Sequence, residues 1–271
     1  MMLLIDAGNT RIKLGWLDPI SGRRETDVFI MAHNDLSQLP TWLDQLCHVP
    51  IAAIGVNVAG TTVAQRINDF FKSHYAFEIR WIVSQGEAAG IRNGYDAPSQ
   101  LGADRWLSMI GLAQHTNDAA ILASFGTATT IDTLGPKAAI PGEPGIRQFY
   151  GGLIFPGPEL MRASLAAGTA NLPKADGTTA AFPTHTHQAI SSGIAAAQAG
   201  ALLRQWREGL SMFGGPPQVF STGGGWGAVE IEAQRLLNRA QTDLGLPAQA
   251  IQCLTTPVLD GLAHLAPKFL N

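Results

Sequence analysis

The sequence predicts an α/β protein of two similar lobes, each a mixed sheet of the five-stranded type with helices packed on it, and a cleft between the lobes. Three observations carry this expectation. Residues 1–83 read as β-β-β-α-β-α-β. The segment Leu4-Ile5-Asp6-Ala7-Gly8-Asn9-Thr10 has an echo in Leu122-Ala123-Ser124-Phe125-Gly126-Thr127-Ala128, each followed by a strand that ends in Leu-Gly. Comparable alternating elements follow the second copy, as a duplicated unit requires.

Met2–Ile5 is an apolar run that ends at Asp6, and Ile12 and Leu14 alternate with Arg11 and Lys13 after the turn, so strand, turn and strand are expected. Asp27–Met31 is a third strand. Leu36, Leu39, Leu43 and Leu46 give helical spacing over Asp35–Cys47, with Pro40 in the first turn. Ile51–Val56 is a strand, Thr61–His74 an amphipathic helix and Glu78–Val83 a strand. Ser84–Gln100 reads as loop and Gly102–Gln114 as helix. In the second half, Ala119–Ser124 and Ala128–Thr133 are strands, Pro136–Tyr150 is loop, and Gly151–Ile154 is a strand closed by Pro156-Gly157. Glu159–Ala167 is a helix, Asn171–His185 irregular, and Thr186–Leu210 a long Ala-rich helix capped by Thr186. Gln218–Ser221, a glycine turn, a helix over Ala228–Arg239, a short strand near Ile251 and a helix over Pro257–Leu265 complete the chain. The lobes are expected at residues 1–115 and 116–271.

Of 271 residues, 46% are hydrophobic and 14% charged, which calls for a large buried interior or a subunit interface. A net charge of −3 with scattered Lys and Arg argues against nucleic acid as the main partner. Asp6 interrupts the apolar start too early for a signal peptide, and no apolar run is long enough to span a membrane. A soluble cytoplasmic protein is expected. Cys47 and Cys253 have no metal-ligand spacing and are expected to be buried thiols in a reducing compartment.

Four stretches have the composition that chemistry needs. In Asp6–Thr10, Gly8 lets a ligand approach the backbone, Asn9 and Thr10 offer polar groups suited to a phosphate, and Asp6 suits Mg²⁺ or its waters. On these residues alone, an Asn/Gly hairpin explains the segment equally well. Asp104 and Arg105 fall in a first helical turn, where the dipole favours negative charge. An ionised Asp there accepts a proton from a positioned hydroxyl, and Arg105 clamps a carboxylate or phosphate. Taken alone, a helix-start acid with its ion-pair partner explains them better. Ser124–Asp132 gathers hydroxyls around Gly126, which β propensity alone would also explain. Ser221–Ala228 formally matches a dinucleotide fingerprint, but too little chain follows for the rest of such a domain. A glycine turn under a flat adenine base is the better use. His185 and His187 lack a third ligand, so loop composition is favoured over a metal site.

Taken together, these blocks resemble the type III pantothenate kinases, of the two-lobed actin-like, sugar-kinase and Hsp70-type superfamily with a ribonuclease H-like ATPase fold. The match includes Asp6–Thr10, Tyr95, Leu101–Trp106, Gly126–Thr130, Gly151–Gly157, Leu172-Pro173, Thr186, Ser192-Gly193 and Thr222–Gly224. The resemblance implies phosphorylation of pantothenate by ATP, the first step towards coenzyme A. It assigns Asp6, Ala7, Gly8, Asn9, Thr10, Arg11, Ile12, Lys13, Thr127, Thr222, Gly223 and Gly224 to ATP. It assigns Tyr95, Gly102, Ala103, Asp104, Arg105 and Thr186 to pantothenate, with Asp104 the proton acceptor. It further implies a homodimer, Mg²⁺ near Asp6, and a monovalent cation, K⁺ or NH₄⁺. The family usually has Asp at the position of Ser124, where it helps hold that cation. Serine has no formal charge, so weaker binding is expected unless Asp132 or carbonyls compensate. The substitution also keeps open a related transcriptional accessory role with weak or lost kinase activity. Two further alternatives are a kinase of the same fold acting on another small alcohol, and a polyphosphate phosphatase.

Overall fold

The computed structural model describes residues 1–25, 27–137 and 145–269. Part of the expected loop Pro136–Tyr150 therefore lies outside the described residues. Two compact units emerge. One comprises residues 1–115 and the chain from Thr256 onward; the other is Thr116–Thr255.

In the first unit, β1 (Met2–Ala7) is flanked by β2 (Arg11–Leu17) antiparallel and β4 (Ala52–Asn57) parallel. With β3 (Phe29–Ala32) and β5 (Ile79–Trp81) the sheet order is β3-β2-β1-β4-β5. Every residue of β1 is buried, because helices cover both faces. Leu3, Ile5 and Ala7 join the core beneath α1 (Leu39–Asp44) and α2 (Thr61–Tyr75), with Leu43, Ile67 and Phe71. Met2, Leu4 and Asp6 face the other way, since strand side chains alternate.

The second unit repeats this topology. Its β8 (Ala120–Phe125) lies between antiparallel β9 (Ala128–Leu134) and parallel β11 (Gln218–Thr222), with β10 (Arg147–Pro156) and β12 (Gln252–Cys253) outside. The order β10-β9-β8-β11-β12 is the first unit's order again. The helices follow suit: α4 (Pro158–Gly168) and α5 (Thr186–Phe213) precede β11, and α6 (Glu230–Asp243) precedes β12. The α/β duplication expected from the sequence echo is thus present in strand order and direction. None of the described helices is long and apolar enough to cross a membrane.

Several local expectations change. The helix over Asp35–Cys47 shrinks to α1, preceded by a 3-10 turn at Leu36–Gln38, because Pro40 sits at the helix start and has no N–H to continue an earlier turn. The loop Ser84–Gln100 contains a hairpin, β6 (Glu87–Ala88) with β7 (Ile91–Asn93). The strand after Tyr150 begins earlier, at Arg147, and absorbs a bulge between Phe149 and Gly152. Cys47 and Cys253 are exposed rather than buried. Cys47 follows the end of α1, and Cys253 sits on the outermost strand of its sheet.

The chain also closes differently from a division at 115/116 carried to the end. The last helix, α7 (Pro257–Leu265), packs on α3 (Ala103–Leu112) in the first unit. Glycines make this approach feasible: a Cβ on Gly111 would sit 2.0 Å from the Pro257 carbonyl oxygen, and one on Gly261 2.1 Å from that of Leu107. Helix propensity favours Ala over Gly by about 1 kcal/mol. Overpacking costs about 1–3 kcal/mol, and more when the obstacle is backbone that cannot rotate away. Sterics therefore wins, and Gly261→Ala is expected to lower the melting temperature in a thermal denaturation scan.

Candidate active site

The site-forming end of the first unit grows from the carboxyl end of β1. Asp6 pairs with Lys13 across the β1–β2 ladder, so both side chains lie on the face opposite α1 and α2. Lys13 Nζ stands 3.8 Å from Asp6 Oδ2. Asp6 is only 6% exposed, and burial raises its pKa from 3.8 to about 6. Lys13 lowers it, but not enough to offset burial, and the nearby Asp104 charge raises it further. Asp104 occupies the first turn of α3, so one strand end and one helix start bring two carboxylates together.

The turn between β1 and β2 is tight. Gly8 N–H donates to the Arg11 carbonyl at 3.1 Å, and neither Asn9 nor Thr10 adopts a positive φ. Gly8 itself has no left-handed φ, and a Cβ there would make only ordinary contacts, 3.4 Å to Arg11 O and 3.8 Å to Asp6 Oδ1. The fold does not require glycine at this position; what it leaves is open backbone. His33, just past β3, hydrogen-bonds the Gly8 carbonyl through Nε2.

The acceptor segment is ordered from within the same unit. Asn93, buried, receives the Tyr95 N–H on Oδ1 at 3.0 Å and donates to the Gln85 carbonyl at 3.1 Å. This holds Tyr95 against Arg105, whose Nη1 donates to the Tyr95 hydroxyl at 2.7 Å while the guanidinium lies 5.7 Å from the ring centre. Asp104 Oδ1 accepts the Arg105 backbone N–H at 2.8 Å and would lie 2.7 Å from a Cβ on Gly102. The absent side chain of Gly102 therefore gives the Asp104 carboxylate its place.

The second unit carries its own hairpin. Gly126 N–H donates to the Ala128 carbonyl at 3.1 Å, and Ser124 pairs with Thr130. This turn is one residue shorter than its counterpart, where Asp6 pairs with Lys13. Thr222, Ser124 and Thr130 form a row across three strands, with Asp132 two residues further on the same face. Gly157 N–H donates to the Thr127 carbonyl at 2.9 Å, and its own Cβ would meet the Gly126 carbonyl. Gly223, at φ 96°, packs on the Phe125 carbonyl, which also accepts the Gly225 N–H at 2.9 Å. Of the glycines assigned to a base platform, Gly224 has open space where a Cβ would stand. Gly223 is needed by the fold.

Thr186 belongs to the second unit and does not cap α5. His185 caps it, accepting the Gln188 N–H on Nδ1 at 3.4 Å. Thr186 instead lines a cavity of about 770 Å³ with Met161, Leu172, Ile190 and Ile194. Among the described residues, no group of three or more His, Cys, Asp or Glu could hold a metal, His185 and His187 included. Sequence reasoning passed over His33 and Asn93. His33 lies outside every stretch singled out, and Asn93 stands at the edge of the Tyr95 segment with no role of its own; only the β2–β3 register and the β6–β7 hairpin bring them to the site.

A family model described as type III pantothenate kinase matches residues 2–208. The type III pantothenate kinase of Bordetella petrii is 49% identical to this chain over 99% of it and 98% of its own length. That of Bordetella pertussis is 46% identical over the same shares. Among solved structures, a putative 2-dehydro-3-deoxygalactonokinase from Sinorhizobium meliloti matches with a TM-score of 0.51 at 16% identity, covering 100% of this chain and 99% of that one. The last likeness is one of fold.

The buried carboxylate has a consequence for stability. With Asp6 at about 6 when folded and near 3.8 when unfolded, the native state holds more protons between these values. Its contribution is present at pH below 3.8 and is lost as pH rises through about 6. Asp6→Asn should flatten this part of the profile and raise stability at pH 7 by up to about 3 kcal/mol, in urea titrations at several pH values.

Proposed function

The chain belongs to the type III pantothenate kinases, and from that premise we propose how its residues divide the work of moving a phosphoryl group from ATP to pantothenate. The reaction leads towards coenzyme A. Phosphoryl transfer of this kind runs through a loose transition state with the attacking and leaving oxygens roughly in line. Positioning and charge neutralisation do most of the work, and the assignments below follow that division.

Asp104 accepts the proton of the pantothenate hydroxyl. The observation that carries this role is the convergence of Asp104 with Asp6 and Lys13 at one end of the first unit. One Asp104 oxygen is tied to the start of α3, which fixes the carboxylate's direction. The proton leaves late in such a reaction, so a weak base suffices. Arg105, braced by Tyr95, takes the pantothenate carboxylate with its planar fork, and Gly102 and Ala103 offer backbone beside it. Thr186, released from capping, contributes its hydroxyl to the same substrate.

For ATP, the open backbone of Gly8–Thr10 receives phosphate oxygens, with Ala7, Arg11 and Ile12 forming the ends of that hairpin and Lys13 supplying positive charge. In the second unit Thr127 has the same duty, and Thr222–Gly224 carry the adenosine, with Gly224 the open face.

Mg²⁺ fits the residues present. Asp6 is a buried carboxylate near a second negative charge, and Mg²⁺ is usually held by one or two carboxylates together with substrate phosphates. When bound, it neutralises phosphate charge. A monovalent cation fits less well. The Thr222–Ser124–Thr130 row offers neutral oxygens, and the only nearby formal charge on that face of those strands is Asp132. K⁺ or NH₄⁺ is therefore bound more weakly here than with Asp at position 124. The enzyme works as a homodimer in the cytoplasm.

A coupled ADP-release assay with pantothenate tests the whole reading. Asp104→Asn should lower kcat by about 10²–10⁴-fold. Turnover close to that of the parent would remove Asp104 from the role of base. Ser124→Asp should lower the K⁺ concentration for half-maximal rate, read from the same assay across a K⁺ series.

A further inference from the structure

We propose that His33 is a positioning residue that aims the phosphate-binding backbone. The inference rests on the assignment of Gly8–Thr10 to ATP and adds to it a residue that lies outside the loop. β3 runs antiparallel to β2 with Ala32 opposite Arg11, so the next residue, His33, arrives beside the turn. Its Nε2 hydrogen-bonds the Gly8 carbonyl. A carbonyl only accepts, so Nε2 carries the proton. The His33 carbonyl in turn accepts from Arg66 Nη1 at 3.2 Å, which ties the segment to α2.

The consequence follows from the planarity of the peptide unit. The structure contains no cis peptide among its described residues. In a trans peptide the C=O and the following N–H point in opposite directions. Holding the Gly8 carbonyl towards His33 therefore turns the Asn9 N–H away from His33. Without the ring, the Gly8–Asn9 peptide is free to rotate, because glycine restricts its own ψ little. The donor that should meet a phosphate oxygen would then be correctly aimed only part of the time. His33 thus acts on nucleotide affinity without touching the nucleotide.

The test uses two variants of the full chain. His33→Leu removes the donor while keeping bulk; His33→Gln keeps an N–H donor at similar reach. His33→Leu should raise the Kd for ATP by about 5- to 10-fold, the worth of one hydrogen bond, with the KM for pantothenate unchanged. It should also speed amide hydrogen exchange at Gly8–Arg11 in the absence of ATP. His33→Gln should stay within about 2-fold of the parent. Asn9→Pro removes the aimed N–H itself, so His33→Leu should add no further loss on that background. Parent-like ATP affinity in His33→Leu, equal damage from His33→Gln, or additive loss with Asn9→Pro would each overturn the proposal. Exchange on the parent separates the underlying assignment: if ATP binds but leaves the Gly8–Arg11 amides unprotected, the loop is not the phosphate site.

Discussion

A carboxylate sits at the end of a strand that is buried on both faces, and much of the first unit answers to that one placement. β1 has no solvated side, so Asp6 loses hydration simply by occupying the strand's last turn outward. Lys13 stands opposite at 3.8 Å and recovers part of the loss. The raised pKa says that the recovery is incomplete. Adding Asp104 beside it makes the free protein worse off still. A structure would not hold two carboxylates at the same end of one unit for stability alone, because apolar residues would serve the core better. Such strain is expected where a positively charged ligand or ion completes the arrangement.

The duplicated topology gives each unit the same frame with different contents. In both, the first two strands form a hairpin at the sheet's centre and the parallel neighbours follow through helices. In the first unit the hairpin carries acid, base and an exposed turn. In the second it carries hydroxyls, a turn one residue shorter, and glycines packed against its carbonyls. The Thr127 and Phe125 carbonyls are already occupied by the Gly157 and Gly225 N–H groups, so the second hairpin is tied to its neighbours through backbone. The first depends instead on a side chain from outside, His33. One fold thus supports a loop braced by its own backbone and a loop braced at a distance.

Much of this was legible in the chain. The alternation around Ile12 and Leu14, the helical spacing of Val63, Ile67 and Phe71, and the echo at Ser124–Ala128 each state a period that only one element satisfies, and the two-unit α/β fold follows from them. The Asp104-Arg105 pair was legible as a helix start. What stayed hidden depends on register or on through-space packing. His33 and Asn93 are ordinary loop residues until strand pairing delivers them. The cap of α5 fell to His185 rather than Thr186 because a ring nitrogen one residue earlier reached the free N–H first. The exposure of Cys47 and Cys253 reflects where elements end, which composition does not encode.

The same distinction explains why the last helix belongs to the first unit. In sequence, α7 follows the second repeat as α3 follows the first. Its packing partner is nevertheless α3, through paired glycines that let two backbones touch. Asp260 on α7 also bonds Arg24, and His115 stands 3.4 Å from it, so charge fixes what the glycines allow. α3 carries Asp104 at its start and Gly111 near its end. The helix that presents the carboxylate is therefore anchored by residues more than a hundred positions away, beyond the stretch 2–208 that the family model matches. Accuracy of the acceptor end is a property of this distant contact as much as of the Gly102–Arg105 block itself: a shift of α7 along α3 would move the first turn of α3 with it, because a packed helix moves as a rigid rod and not residue by residue.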